Sequence, residues 1–254
     1  MLRRVRRAVA LALTLTWNMV LYAAQRLRGP LTLDEQALWL QGSCQRMLKA
    51  LGIRCKVEGT APTTGLVVAN HLSYLDIVII SAAMPCFFVA KMEIGGWPFF
   101  GSAARCGGTI FLDRSSLASA NVVARIMEER FKTHTPVLLF PEGTSTDGAE
   151  VLRFHSRLID PATKLGVPIT TAGLRYVLED GTPERELCWF GDDPFLPHLM
   201  KALGTGGFTA QLRFGQTKLY EDRRTAADQT HAEITAMRHD TDPDKKATLS
   251  AAIN

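Results

Sequence analysis

The chain has little cysteine, and the pattern of the five it has is exclusionary. Cys44, Cys55, Cys86, Cys106 and Cys188 are odd in number, scattered, and never spaced as a Cys-x-x-Cys pair. That argues against a disulfide framework and a cysteine-rich zinc site, and it fits a reducing compartment. A His-Glu-x-x-His motif, an EF-hand loop and a Gly-x-Ser-x-Gly elbow are all missing, so the sequence signals neither metal-assisted hydrolysis nor a serine nucleophile. No metal and no cofactor are expected. Mean hydropathy is only +0.04, too low for a polytopic membrane protein. Acid is absent from residues 1–30, which carry six arginines: Arg3, Arg4, Arg6, Arg7, Arg26 and Arg28.

Beyond residue 30 the 254-residue chain holds 23 basic against 25 acidic residues, so the net charge of +4 originates in the N-terminal segment. A nucleic-acid-binding protein spreads basic residues over its body, so no nucleic-acid partner is expected. An apolar fraction of 46% is that of a chain with a core to bury. Ala8 to Ala24 are uncharged and mostly apolar, interrupted by Thr14, Thr16 and Asn18. As a helix these 17 residues reach roughly 26 Å, short of the ~30 Å hydrocarbon core. Three readings stand here: a span, a cleaved leader with a poor small-x-small site, and shallow insertion at a membrane surface. Next, Thr32-x-x-Glu35 reads as a capping box. Leu33, Ala37, Leu40, Cys44, Met47, Leu48 and Leu51 follow at helical spacing up to Gly52. This stripe either completes a membrane-facing helical hairpin or packs on a core.

From Gly65 onward short apolar runs alternate with helical patterns. Leu66–Ala69, Phe87–Ala90, Gly108–Leu112, Val137–Phe140 and Val167–Leu174 read as strands; Tyr74–Ala83, Leu117–Phe131 and Phe154–Leu165 read as helices. The expectation is an α/β fold with a mixed, largely parallel sheet flanked by helices. Residues 1–54 are expected to form membrane-associating helices, 55–239 a catalytic domain and 240–254 a polar tail. In such folds ligands sit beyond the strand ends. Those ends read Asn70-His71-Leu72-Ser73-Tyr74-Leu75-Asp76, then Lys91-Met92-Glu93, then Asp113-Arg114, then Pro141-Glu142-Gly143-Thr144-Ser145.

Five residues separate His71 from Asp76. Within one helix they would diverge by roughly 140° on the wheel. They meet if His71 precedes the helix, Ser73 caps it and Asp76 lies in its first turn. A histidine so oriented suits general-base chemistry on a hydroxyl, because the carboxylate fixes the tautomer and stabilises the imidazolium. The plainer readings are a loop histidine and a capping aspartate.

Asn70-His71-x4-Asp76 resembles the first motif of the glycerolipid acyltransferase family, of the bacterial 1-acyl-sn-glycerol-3-phosphate acyltransferase type. Gly108-Thr109-Ile110-Phe111-Leu112-Asp113-Arg114 resembles the second, Phe140-Pro141-Glu142-Gly143-Thr144-Ser145 the third and Val167-Pro168-Ile169 the fourth, in the same order. The resemblance implies a fatty acyl transfer from acyl-CoA or acyl-carrier protein to the sn-2 hydroxyl of 1-acyl-sn-glycerol-3-phosphate, giving phosphatidic acid. In that scheme His71 is the base, Asp76 its orienter, and Lys91, Arg114, Glu142, Gly143 and Thr144 bind the substrate. It also implies a location on the cytoplasmic face of the cell membrane, held by the N-terminal segment. One departure matters: Ser145 stands where many phosphatidic-acid-forming members carry Arg. That opens the alternative of a lyso-ornithine lipid or another lysolipid as acceptor. A non-catalytic lipid-binding protein is the alternative of another class.

Overall fold

The computed structural model describes residues 1–97, 99–113 and 117–240. Two long helices lead, α1 (Leu2–Arg26) and α2 (Leu33–Leu51), followed by β1 (Arg54–Glu58), β2 (Leu66–Ala69), α3 (Leu75–Ala83) and β3 (Phe87–Lys91). Then come α4 (Phe100–Cys106), β4 (Ile110–Leu112), α5 (Leu117–Arg130), β5 (Val137–Leu139) and α6 (Ser156–Lys164). The chain continues through β6 (Ile169–Leu178), α7 (Phe195–Ala202), β7 (Phe208–Phe214) and α8 (Arg223–Asp240).

The seven strands form one sheet in the order β1-β7-β6-β2-β5-β3-β4. β6, β2, β5, β3 and β4 are mutually parallel, while β7 is antiparallel to β6 and β1 parallel to β7. The mixed, largely parallel sheet read from the alternation is therefore present. Two apolar layers cover its faces. Leu40, Leu48, Ile79 and Phe88 belong to one, and Leu66, Met127, Ile159 and Ile234 to the other. All four residues of β2 are buried, which is why this central strand reads as an unbroken apolar run rather than an alternation. The chain leaves β2 for β3, returns to insert β5 between them, then crosses to β6. The reversal places the ends of β2 and β5 side by side, where this class of sheet binds ligands.

The N-terminal helices resolve one open alternative. The α2 capping box forms as read, with Glu35 N donating to Thr32 Oγ1 and Thr32 N to Glu35, and Gly52 ends the helix at φ 69°. The α2 stripe is buried in the core: Trp39, Leu40, Cys44 and Leu48 pack with α3 and the sheet, and Met47 and Leu51 pack with Leu11 of α1. That stripe is covered and has no apolar face left to insert.

α1 differs. Of its residues only Leu11 and Asn18 are buried. Val5, Val9, Leu13, Trp17 and Val20, at helical spacing, are exposed along its outer side. By length and composition it is long and apolar enough to cross a membrane. Asn18, an interruption in the apolar run, is the polar tie between the two helices. Its carbonyl accepts from Trp39 Nε1 at 3.1 Å and its Oδ1 from Arg46 Nε at 2.6 Å. Part of the basic segment also serves the fold, since Arg3 and Arg7 donate to the Thr205 carbonyl just past α7.

Between β6 and α7 the chain makes a 3₁₀ turn over Glu184–Leu187, and α7 begins at Phe195. At the C-terminal end α8 runs to Asp240, and Arg238 is largely buried, its side chain 9% exposed. Its polar neighbours in sequence hide a guanidinium that the fold encloses. Residues 241–254, the rest of the expected tail, lie outside the described residues.

Candidate active site

Where β2 ends, side chains replace strand pairing. Leu174 N on β6 donates to Asn70 Oδ1 at 2.8 Å, and Asn70 Nδ2 donates to the Leu174 carbonyl at 3.0 Å. The chain then turns, and His71 stands before α3 as the five-residue spacing requires. Its backbone is fully tied: His71 N donates to Glu142 Oε1 at 2.6 Å and its carbonyl accepts from Thr146 N at 2.9 Å. Its ring stacks on Phe140, with centroids 4.2 Å apart and planes 18° from parallel.

Asp76 lies in the first turn of α3 and is completely buried. Oδ2 meets His71 Nδ1 at 2.7 Å and accepts from Leu72 N at 2.6 Å and Ser73 N at 3.0 Å. Oδ1 accepts from the Tyr176 hydroxyl. The expected Ser73 cap is replaced by a different use of the same residues. The helix begins after Tyr74 with no side-chain cap, and Ser73 Oγ accepts only from Leu75 N, at 3.4 Å. Four donors thus complete the hydrogen bonding of the buried carboxylate. It holds the proton of His71 on Nδ1 and leaves the Nε2 lone pair available. The His71 side chain is 19% exposed, enough for a ligand to reach it.

Glu142 is one of the residues expected to bind the substrate. It is 3% exposed, and its two oxygens accept from the backbone N–H groups of His71 and, at 2.8 Å, Leu152. Its work is to fix the β2 and β5 loops against each other. Burial pushes its carboxyl up to about 6, with the two N–H donors opposing. From an ordinary 4.5 this is an upward shift, so the folded chain binds more protons than the unfolded one between those values. Stability from this group therefore falls as pH rises from about 4.5 to about 6, by about 2 kcal/mol at 1.36 kcal/mol per unit. The unfolding free energy of wild type minus that of Glu142→Gln is expected to decline by that amount across the window. A difference independent of pH contradicts this assignment.

Gly143 takes φ 77°, and its N–H donates to the Phe140 carbonyl at 3.1 Å, closing the turn. That N–H is thus engaged in the turn. Thr144 is exposed, and among the described residues its N–H has no acceptor. Lys91, at the end of β3, is exposed at the same edge of the sheet. Arg114 lies outside the described residues. The Ser145 hydroxyl donates to the Trp189 carbonyl at 2.5 Å.

Sequence reasoning missed four contributors. Tyr176 is the second side-chain donor to the buried carboxylate. Glu184 accepts from Tyr176 N at 2.6 Å and pairs with Arg238 at 2.8 Å, and Arg238 also donates to the carbonyls of Leu174 and Gly148 at 2.6 Å each. Trp189 belongs to an aromatic group beside the loop, with Tyr74, Trp97 and Phe195. The one available signal was Tyr176 itself, a phenol in an apolar strand, because a buried phenol requires a partner.

The Acyltransferase family matches residues 53–175. A lyso-ornithine lipid O-acyltransferase of Pseudomonas aeruginosa is 36% identical over 159 residues, covering 62% of this chain and 61% of that protein. One from Rhodobacter capsulatus is 36% identical over 165 residues, 63% of this chain and 59% of that protein. A 1-acyl-sn-glycerol-3-phosphate acyltransferase of Neisseria meningitidis is 36% identical over 138 residues, 53% and 54% of the two chains. The chain thus spans about three fifths of the length of the first two relatives. The crystal structure of PlsC, the 1-acyl-sn-glycerophosphate acyltransferase from Thermotoga maritima, superposes with a TM-score of 0.66 at 18% identity, covering 95% of this chain and 98% of that one. The fold is therefore shared.

Proposed function

We propose that the protein, whose residues 53–175 match the Acyltransferase family, transfers a fatty acyl group from a thioester donor to the free hydroxyl of a lysolipid. The observation that carries this reading is the His71–Asp76 pair at 2.7 Å, set at the strand-end crevice, where among the described residues no serine or cysteine side chain is hydrogen-bonded to the His71 ring. His71 Nε2 removes the acceptor hydroxyl proton as the oxygen attacks the thioester carbonyl. The carbon–sulfur bond breaks, and the thiolate takes the proton back from the imidazolium. Asp76 holds the ring and stabilises its cationic form. Tyr176 occupies the other carboxylate oxygen, so that Oδ2 stays turned to His71. Thr144 N–H and Lys91 are the groups at the same edge for a polar head group or the developing oxyanion. Glu142 is a positioning residue, reaching His71 through the backbone.

The donor is acyl-CoA or acyl-carrier protein, and the aromatic group of Tyr74, Trp97, Trp189 and Phe195 offers an apolar wall for the chain. For the acceptor, a lyso-ornithine lipid is favoured over 1-acyl-sn-glycerol-3-phosphate. The Ser145 side chain is spent on the Trp189 carbonyl at a position where a cation would suit a phosphomonoester. Asp147 close by adds negative charge, paired with Arg185 at 3.6 Å, and an ornithine head group carries an ammonium and no phosphate. Relatives named for both acceptors are at hand. With equal donor, the purified chain is expected to turn over lyso-ornithine lipid at least about tenfold faster than 1-acyl-sn-glycerol-3-phosphate, a difference of ~1.4 kcal/mol. The opposite order reinstates the phosphatidic-acid reading.

The exposed apolar side of α1 supports attachment to a membrane surface. Its length as a helix allows a span, but Leu11, Leu15 and Met19 are packed against the body, which favours a helix lying in the interface. The cytoplasmic face is the side where acyl thioesters are supplied.

A further inference from the structure

Arg46 is a half-buried guanidinium on α2. Its Nε is spent on Asn18 and its Nη2 reaches Ser43 Oγ at 3.3 Å, both neutral partners. Among the described residues no carboxylate lies within ion-pair distance of it. A charge taken partly out of water without a counter-ion is costly unless an anion completes it. Arg46 lines a groove of about 580 Å³ between α1 and α2, together with Arg28 and the apolar side chains of Leu21, Leu38 and Trp39. The one acid on this groove, Glu35, is committed to Thr32 N at 2.7 Å and Thr32 Oγ1 at 2.9 Å in the capping box.

The location sets the class of anion. At 100° per residue, Leu21 lies roughly 100° around α1 from the centre of its exposed apolar stripe, and Arg28 follows just past the end of that helix. A helix with that stripe in the acyl region holds its flanks at head-group depth. The groove is also remote from the chemistry. Asp34, beside it in sequence, accepts from Thr135 Oγ1 at 2.7 Å just before β5 begins, whereas His71 and Glu142 follow strand ends.

We propose that this groove binds the phosphate head group of an anionic phospholipid, with Arg46 and Arg28 on the phosphate and Leu21 and Leu38 along the start of the chains. It is a second lipid site, separate from the acceptor site, and it uses a resident membrane lipid rather than a substrate. Occupied, it supplies the missing counter-charge to Arg46 and fixes the depth of α1. This inference rests in part on the reading that α1 lies against a bilayer.

The test is titration of the full chain in neutral detergent with dihexanoyl phosphatidylglycerol, and separately with dihexanoyl phosphatidylcholine, by calorimetry. Saturable one-to-one binding of the phosphatidylglycerol is expected, weakened at least about tenfold in Arg28→Gln/Arg46→Gln, roughly two charge-assisted contacts. It is expected to be unchanged in the charge-matched control Arg6→Gln/Arg26→Gln, whose arginines are exposed and outside the groove. Arg28→Gln alone, which removes no side-chain hydrogen bond among the described residues, covers the case in which the double variant unfolds. Absence of saturable binding, equal loss in the control, or wild-type affinity in the groove variants overturns the proposal. Flotation with phosphatidylcholine–phosphatidylglycerol vesicles tests the bilayer reading separately. A chain that binds the short lipid but does not float supports the groove and refutes the docking.

Discussion

His71→Ala lowers the transfer rate about 10³-fold, within the 10²–10⁴ that a positioned general base contributes, and leaves the fold in place. Among the described residues the ring makes one hydrogen bond, to Asp76, and one stack, on Phe140. What organises the loop is backbone: His71 N to Glu142, Thr146 N to the His71 carbonyl, and Leu72 N to Asp76. All three bonds survive the loss of the imidazole. The variant is therefore expected to melt within a few degrees of wild type and to bind lysolipid undiminished. Turnover and melting are measured on the same preparation. Retained turnover removes His71 from the chemistry, and a lost fold would mean that the ring is structural. This result also separates the enzyme reading from a non-catalytic lipid-binding protein, which has no turnover to lose.

Asp76→Asn is expected to cost nearly as much, about 10²–10³-fold in turnover, by a different route. An amide can still accept from Leu72 N and Ser73 N if its oxygen takes the Oδ2 position, so the first turn of α3 persists. The negative charge that stabilises the imidazolium is gone, and the alternative orientation of the amide would force His71 into the wrong tautomer. The loss should therefore fall on kcat, with KM nearly constant. Tyr176→Phe is the graded partner of this experiment. It leaves the charge and removes only the donor on Oδ1, so a loss of about tenfold is expected, about 1.4 kcal/mol, a typical hydrogen bond to a charged group. The loss should fall on kcat with KM nearly constant, since this donor fixes Asp76 and touches no substrate. A packing defect would lower stability without that selective loss of kcat, and wild-type kcat excludes Tyr176 from positioning Asp76.

How much of this was legible in the chain depends on the range of each interaction. The His71–Asp76 pairing was readable because both residues sit within one turn of the same helix start, where spacing sets geometry. The parallel core was readable because β2, β3 and β5 are buried on both faces and so appear as apolar runs. β1 and β7 were not, since β1 is an exposed edge strand with a polar sequence, and β7 is specified by its pairing with β6 rather than by a run of its own. The partners of Glu142 were not legible for a related reason: one N–H belongs to His71, 71 residues away, and the other to Leu152, ten residues along its own loop. Tyr176 and Arg238 reach the site across about 100 and 65 residues of chain, beyond what any periodicity encodes. The α2 stripe posed the opposite problem: membrane and core demand the same apolar pattern, and only the position of α3 and the sheet decides between them.

The claim at the centre of this account is that a lysolipid hydroxyl, activated by His71, attacks the thioester directly. Its most direct test is thiol release from acyl-CoA and acyl-carrier protein by the purified full chain, followed with and without lysolipid and matched against acylated lipid formed. Thiol release is expected only when a lysolipid is present, with one acylated lipid for each thiol and neither product from His71→Ala. Thiol released at the same rate without any lysolipid, with free fatty acid as the product, would contradict it and make the protein a thioester hydrolase.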